Sequence, residues 1–512
     1  MTYESLLILV AFPVLLVALF YVPLANVGVD LADEGYLLFG SKAVVEGAVP
    51  IRDFRAYDPG RYYWCALWIK AFGCKFAAIR FAMAFIMVGS LSLSATTIYL
   101  ATMDWLLSVM VCLVSFVWMR PHHKQIEIFF SILTVFFLSH LLQTYFVPYA
   151  LILGVLIGGS LFFGVNIFIY VGGATALVAA VQADSLSLLD HRTELAWLAI
   201  GLFLGLLPFG LMFLKYPGMA SAYWEKKIVT IIRRGTANLR LPIPWIWARD
   251  TPQLSHLAPS RRWFFKALFT LAPVIYGGIL VSYIAAPSLS NQRPMELAAV
   301  ASCVGLVYLH HGFSRADVPH LCQAIHPLLI AVFALMAFFV PGHWASLSAF
   351  ILACLSAWAI LPNFDERFQY LSARKQYVRY FTGSEILRVR KHQADRLSHL
   401  GRLINRHSGK GEKIFAAPML AGIYPLFERM PAAYDIFPVY PASRSSQLLM
   451  IKQLEQANIA IAIIKDVPLD CRPELQFSNN YDLVFKYFIN NFQEISENNG
   501  IKGFLIFIRT KN

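Results

Sequence analysis

The chain has 512 residues, of which 58% are hydrophobic and only 14% charged. Ordinary soluble domains carry about 25% charged residues, so these charges are too few to cover a water-facing surface, which excludes a string of soluble domains. Lys plus Arg number 43 against 30 Asp plus Glu, leaving +13. No domain-wide basic stripe, zinc-finger or RNP-type motif accompanies that excess, so no nucleic-acid partner is expected, and anionic lipid headgroups are the simpler target.

Apolar runs against polar breaks predict about eleven spanning helices, near 5–23, 77–99, 105–119, 125–142, 148–163, 165–181, 195–214, 264–285, 295–311, 324–340 and 344–361. The first opens with Glu4 instead of a basic region and no small-residue cleavage site follows, so it is expected to stay as a span. No repeat of 20–50 residues and no two-halves symmetry is visible. The seven cysteines are scattered, mostly inside apolar segments, with no metal or disulfide spacing, and are expected to be small core residues.

Eleven crossings put five polar segments on one face: 26–76, the turn 120–124, the long loop 215–263, the turn 312–322 and everything after Pro362. Only short connections such as 183–194 and 287–294 fall on the other. After Pro362 the composition turns polar and basic. A helix is expected over 385–405, then strands at 413–417, 459–465 and 503–509 with helices at 446–456 and 482–492 between them. The expected architecture is an all-α polytopic membrane bundle, 1–362, followed by a small C-terminal soluble α/β domain, 363–512, on the same face as the first loop. Charge leaves the absolute orientation open, because long loops are poorly governed by the positive-inside rule.

The first loop reads Asp30-Leu-Ala-Asp33-Glu34-Gly35-Tyr36, and further on Gly47-Ala-Val-Pro50-Ile-Arg-Asp53-Phe54-Arg55-Ala-Tyr57-Asp-Pro59. Two adjacent carboxylates just beyond a spanning helix are unfavourable near lipid unless solvated, as a helix cap would be, or used. A short amphipathic helix, a Pro-Ile-Arg-Asp-Phe turn and an aromatic helix ending at Phe72-Gly73 are expected after them. This order resembles the first extracytoplasmic loop of the GT-C glycosyltransferases, in particular the protein O-mannosyltransferase and lipid A aminoarabinose transferase family. There an Asp-Glu pair follows the first membrane helix and a G-x-x-P-x-x-D-F … Y-x-P stretch comes later. Gly60 departs from the bulkier apolar residue usual after that Pro. The resemblance is most specific over 30–73.

The resemblance implies a polyprenyl-phosphate-linked sugar as donor and chemistry on the extracytoplasmic face. Asp33 would be the general base that takes a proton from the acceptor hydroxyl, with Glu34 beside it, and Asp53, Arg55 and Tyr57 would line the substrate site. Inversion at the anomeric carbon would follow from a single displacement.

Two further turns carry phosphate-binding chemistry: Arg120-Pro-His122-His123-Lys124, and Arg315-Ala-Asp317-Val-Pro-His320. Arg offers a bidentate fork, His a donor, and Asp a buttress for either. Solvated interfacial turns are the plain alternative. The histidines come without Cys or a His-x-x-x-His helix, so no metal ligands are assigned, and a divalent cation is left open as a cofactor. The 215–263 loop interleaves Tyr223, Trp224, Lys226, Lys227, Arg233, Arg234, Trp245 and Trp247, a pattern suited to the headgroup boundary.

The expected function is a multi-pass glycosyltransferase of a cell membrane, a bacterial inner membrane by this reading. Its acceptor is a lipid, glycan or protein, and the surrounding lipids are its other partners. The rival is a transporter or flippase of lipid-linked sugars, which calls for polar residues along a path between the faces; here they concentrate on one side.

Overall fold

The computed structural model describes residues 3–144, 147–182, 191–234, 238–249, 251–286, 292–495 and 503–509. All eleven expected spans coincide with apolar helices. Seven are long enough to cross a bilayer alone: Leu7–Leu24, Phe76–Thr102, Gln125–Gln143, Arg192–Lys215, Pro259–Ala285, Arg293–Ser314 and Gly342–Phe364. Val318–Ala324 and His326–Phe339, bent by 56°, together make an eighth. Pro327 has no N–H to carry the helical ladder across the junction, so the expected single helix over 324–340 breaks at Ile325.

Trp105–Trp118, Val147–Phe163 and Val165–Val181 are shorter apolar helices. At about 1.5 Å per residue the first, 14 residues long, reaches roughly 21 Å, well under the hydrocarbon thickness. Asp104 defines its start by accepting the Leu107 N–H at 3.0 Å. Among the described residues, eight helices, the bent pair included, thus meet the crossing length by themselves, and the three shorter apolar helices accompany them. The expected short connections fall largely on 183–190 and 287–291, outside the described residues.

The chain divides into two compact units. One comprises Met1–Pro23, Met83–Ala220 and Lys227–Phe368; the other comprises Leu24–Ala82, Ser221–Lys226 and Gln369–Asn512. In the first unit Val147–Phe163 and Arg192–Lys215 meet backbone to backbone through Gly154-x-x-x-Gly158 and Gly201-x-x-x-Gly205. A Cβ on Gly201 would sit 2.1 Å from the Leu151 carbonyl oxygen, and one on Gly158 2.3 Å from that of Leu202. Small residues at this spacing let membrane helices close to van der Waals contact where no hydrophobic effect drives them together.

In the second unit the first loop forms helices Asp33–Val45 and Pro59–Phe72. They pack with the C-terminal region: Gly422 donates to the Leu31 carbonyl at 2.8 Å, and Gln393 to that of Val29 at 2.9 Å. That region holds an antiparallel hairpin, β1 (Tyr377–Phe381) with β2 (Ile386–Arg390), and a five-stranded sheet. The sheet strands are β3 (Lys413–Ala417), β4 (Met430–Pro431), β5 (Ile461–Lys465), β6 (Phe492–Glu494) and β7 (Phe504–Arg509). Their order is β4-β3-β5-β7-β6, with β3 parallel to β4 and β5, and β7 antiparallel to its neighbours.

The strands expected at 413–417, 459–465 and 503–509 are present, as are helices Arg444–Ala457 and Asp482–Asn491. The helix expected over 385–405 begins only at Lys391. Residues 386–390 alternate, with Leu387 and Val389 fully buried, and that two-residue period belongs to a strand.

Candidate active site

The Asp-Glu pair sits in the first turn of helix Asp33–Val45. Its start is secured by Asp30, whose carboxylate accepts the Ala32 N–H at 2.8 Å and the Glu34 N–H at 3.1 Å. With capping assigned to Asp30, the two following carboxylates have other partners. Glu34 is 6% exposed and takes a two-pronged ion pair from Arg80, Nε at 2.7 Å and Nη2 at 2.6 Å. The same guanidinium donates to the carbonyls of Ala25, Val27 and Gly28 at 2.7, 2.9 and 3.1 Å, so all five of its N–H groups are engaged. Arg80 was missed at the sequence level. Its signal was one arginine inside an otherwise apolar run, the kind of residue that marks function or a dedicated partner.

Asp33 is the more exposed of the two carboxylates. Its Oδ1 accepts the Tyr57 hydroxyl at 2.9 Å. Burial, and then the Asp33 charge, push the Tyr57 phenol well above its ordinary value, so it stays a proton donor. Arg61, itself buried, lies 4.9 Å over the Tyr57 ring, and Tyr36 packs edge-on against that ring at 5.0 Å. Asp58 precedes Pro59 at the start of the aromatic helix and accepts the Tyr223 hydroxyl at 3.2 Å.

The Gly47–Phe54 stretch folds as a tight turn. Gly47 has φ +95, Asp53 accepts the Val49 N–H at 2.7 Å, and Arg52 holds the same carboxylate from outside at 2.8 and 2.9 Å. The Arg52 hydrogen bond is the main reason Asp53 stays below the usual carboxylate range. Ile51 is held at φ +73, a costly conformation for a β-branched residue. Its carbonyl accepts from Lys226 at 3.3 Å and from the Tyr434 hydroxyl at 2.6 Å. Arg55 pairs with Asp435 and lies 4.6 Å over the Tyr440 ring. Of the first-loop residues, the structure thus brings Asp33 and Tyr57 into direct contact, while Glu34, Asp53 and Arg55 each engage another partner.

The two basic turns belong to the other unit. Arg120 is 2% exposed; it pairs with Asp365 and donates to the Phe116 and Met119 carbonyls at 3.0 Å each. His122 lies 3.8 Å from the same carboxylate, and burial together with Arg120 and Arg367 holds its imidazole well below the ordinary value, hence neutral. His123 is part-buried and Lys124 closes the turn through its N–H to the Pro121 carbonyl at 3.1 Å. Arg315 donates to Asp317 at 3.0 Å and to the Leu239 carbonyl at 3.2 Å, while Asp317 accepts both the N–H and Nδ1 of His320, at 2.9 and 2.7 Å. Burial alone would raise Asp317; the His320 and Arg315 partners outweigh it and keep the carboxyl low. The three residues expected to act together therefore form one connected set. His320 also faces His311, ring centroids 5.4 Å apart, and His311 contacts Gln323 at 3.1 Å. Sequence reading missed His311, Gln323 and Asp365. Among the described residues no group of three His, Cys, Asp or Glu is placed to hold a metal ion. In the long loop, Trp224 and Trp247 are exposed, as an interfacial segment requires, and Trp245 stacks on Trp247 at 5.5 Å.

No protein-family model matches this chain, and no curated protein does. Solved structures do match. ArnT from Cupriavidus metallidurans in the apo state aligns over 97% of this chain and 97% of its own at 12% identity, with a TM-score of 0.51. The same protein bound to undecaprenyl phosphate aligns over 98% of each chain at 12% identity and 0.49. The archaeal oligosaccharyltransferase AglB from Archaeoglobus fulgidus, in complex with an inhibitory peptide and a dolichol-phosphate, aligns over 99% of this chain and 74% of its own at 12% identity and 0.43. On the full-length likeness to apo ArnT, the chain shares that structure's fold: a multi-helix membrane bundle with a small C-terminal sheet region.

Proposed function

We propose that this protein is a membrane glycosyltransferase that moves a sugar from a polyprenyl-phosphate donor to an acceptor hydroxyl on the extracytoplasmic face, with inversion and with Asp33 as general base. The observation that carries the reading is the division of labour among three neighbouring carboxylates. Asp30 caps the helix and Glu34 is committed to Arg80, while Asp33 is held at the exposed end by a phenol that stays protonated. A half-buried carboxylate oriented by a protonated phenol suits proton abstraction. Glu34 is then a positioning residue, and Tyr57 orients the base.

The lipid-phosphate donor rests on the first-loop resemblance and on the Arg315–Asp317–His320 set, where a guanidinium and an imidazole can offset charge growing on a departing phosphate. Lys124 and His123 belong to the same reading. Arg120 and His122 enter it as the packed base of their turn, since Asp365 already engages them. The packing of the first loop on the C-terminal region supports a common face for both, and a bacterial inner membrane is the proposed location.

The test is transfer of label from a panel of polyprenyl-phosphate sugars by purified protein, parent beside Asp33→Asn. Positioned proton transfer contributes about 10²–10⁴-fold, so kcat should fall by that factor with donor binding retained. A stable Asp33→Asn protein that transfers at the parental rate removes Asp33 from catalysis and returns the flippase reading.

A further inference from the structure

The C-terminal sheet contains a reversal of strand order. β3, β4 and β5 run parallel, with β3 between the other two. The chain leaves β3 for β4 on one side and leaves β5 for β6 and β7 on the other, so its course reverses between β3 and β5. Parallel α/β sheets hold their ligands in the crevice outside the carboxyl ends of two such strands. Here a segment of the first loop lies there. Gly422, in the turn after β3, donates to the Leu31 carbonyl at 2.8 Å. Lys465, the last residue of β5, is half-buried; burial and Arg396 hold its ammonium below the ordinary value, and the Asp30 charge works against them. Asp30 and Leu31 thus meet both strand ends, within one compact unit.

The contact runs backbone against backbone. A Cβ on Gly422 would lie 2.9 Å from the Leu31 Cα and 3.1 Å from the Gly35 Cα, and one on Gly35 would lie 2.5 Å from the Gly422 Cα. Conformation does not require glycine at 422, where φ −65 and ψ −18 are helical values open to any residue. Close approach does. The turn after β3 is tied down in its own right: the Tyr424 hydroxyl accepts the Ala416 N–H at 3.0 Å and donates to the Ala416 carbonyl at 3.3 Å. Opposite it stands the first turn of helix Asp33–Val45, whose Ala32 and Glu34 N–H groups are held by Asp30. Asp33 is therefore fixed between a cap on one side and the sheet on the other.

We infer that Gly422 and Gly35 are positioning residues for Asp33: the C-terminal sheet uses its ligand crevice to set where that carboxylate stands, in place of holding a diffusible ligand. The kinetic consequence rests on the proposed role of Asp33 as general base; the placement does not. Carbon atoms settle at about 3.5 Å or more, so a methyl on Gly422 must drive the first turn back by roughly half an ångström, and one on Gly35 by roughly one. The atoms met are mainly backbone, which no rotamer change relieves. Misplacing a catalytic group by about 1 Å can cost roughly 10²-fold.

The test reads position and rate separately in the full-length protein. Tyr57, whose hydroxyl donates to Asp33, would be replaced by fluorotyrosine, and Asp33→Asn marks how far its fluorine resonance moves when the charged acceptor is lost. Gly422→Ala and Gly35→Ala should each move the resonance toward that mark. Gly409→Ala, whose added Cβ meets only the Glu412 side chain at 3.4 Å or more, should leave it in place. With the polyprenyl-phosphate sugar that the parent transfers, kcat should fall about tenfold for Gly422→Ala and about a hundredfold for Gly35→Ala, with donor KM unchanged. In the Asp33→Asn protein the same substitutions should cost nothing further, because the group they displace is already disabled. Folded Gly422→Ala and Gly35→Ala proteins with the parental resonance would overturn the inference. So would an equal loss of kcat with and without Asp33→Asn, since the glycines would then act on something else. A shifted resonance with parental kcat in all three variants would leave the positioning in place and remove Asp33 from catalysis. If Gly35→Ala fails to fold, Gly422→Ala, which strains no backbone angle, gives the same readings.

Discussion

Arg80 and Glu34 are the residues whose removal should separate architecture from chemistry. Arg80→Met leaves a buried carboxylate without its partner, a loss worth about 3–5 kcal/mol, and unfolding in detergent should come at a markedly lower temperature. Adding Glu34→Gln removes the stranded charge and should recover a large part of that loss. Single and double variants of equal stability would show that the pair is not what holds the loop. The buried Arg120–Asp365 pair makes a pH-dependent version of the same argument. Burial alone would raise Asp365, but Arg120 first and His122 and Arg367 with it keep the carboxyl far below its ordinary value. A depressed carboxyl contributes stability that is fully present above its unfolded value, about 3.9, and is lost as pH falls through its folded value. The difference in thermal stability between the parent and Asp365→Asn should accordingly stay constant from pH 8 to pH 5 and shrink only below about pH 4. A difference that changes through neutrality would instead implicate a histidine.

At the scale of elements, the contact between helices Val147–Phe163 and Arg192–Lys215 depends on four glycines. Because an added Cβ at Gly201 would fall 2.1 Å from a backbone carbonyl rather than from a flexible side chain, Gly201→Leu cannot be absorbed by a rotamer change. Overpacking of this kind costs at least about 1–3 kcal/mol, read as a drop in the unfolding temperature of the purified protein. Gly210 on the same helix, where an added Cβ meets nothing within 4 Å, is the control and should tolerate Ala. The hairpin shows how local pattern can be misjudged at this scale. Residues 386–405 run unbroken through Leu, Val, Ala, Leu and Ile, but Ile386–Arg390 alternate with a period of two before the helical spacing takes over at Lys391. A helix-sized window averages the two periods into one.

For the whole molecule, the one-faced arrangement of loops predicts that the first loop and the C-terminal region share a side of the membrane. Ser41 is fully buried, so the exposed Glu46 and Ser446 are the positions to probe. Cysteines at these two sites should both react with an impermeant reagent in sealed vesicles of one orientation, and neither should react in the opposite orientation. Labelling of one without the other would sink a common active face.

Much of this molecule was legible in the order of its residues. Apolar length and spacing mark where helices lie, because exclusion of charge from hydrocarbon is a local property of each segment. The strands at 413–417 and 461–465 were readable for a related reason, as short apolar runs between polar breaks. The first-loop motif located Asp33, Tyr57 and the turn through Asp53, since those residues are close in the chain as well as in space. What sequence could not show was the partner by which each of the two adjacent carboxylates is held. That depends on Arg80, 46 residues away, and a desolvated ion pair is a property of folded packing, invisible to spacing. The same holds for Arg120, whose partner Asp365 is 245 residues distant, and for Glu385, which caps a helix 309 residues before it. Local sequence determined the elements and the charges they carry; long-range burial, which makes an unpaired charge costly, decided the partner each charge takes.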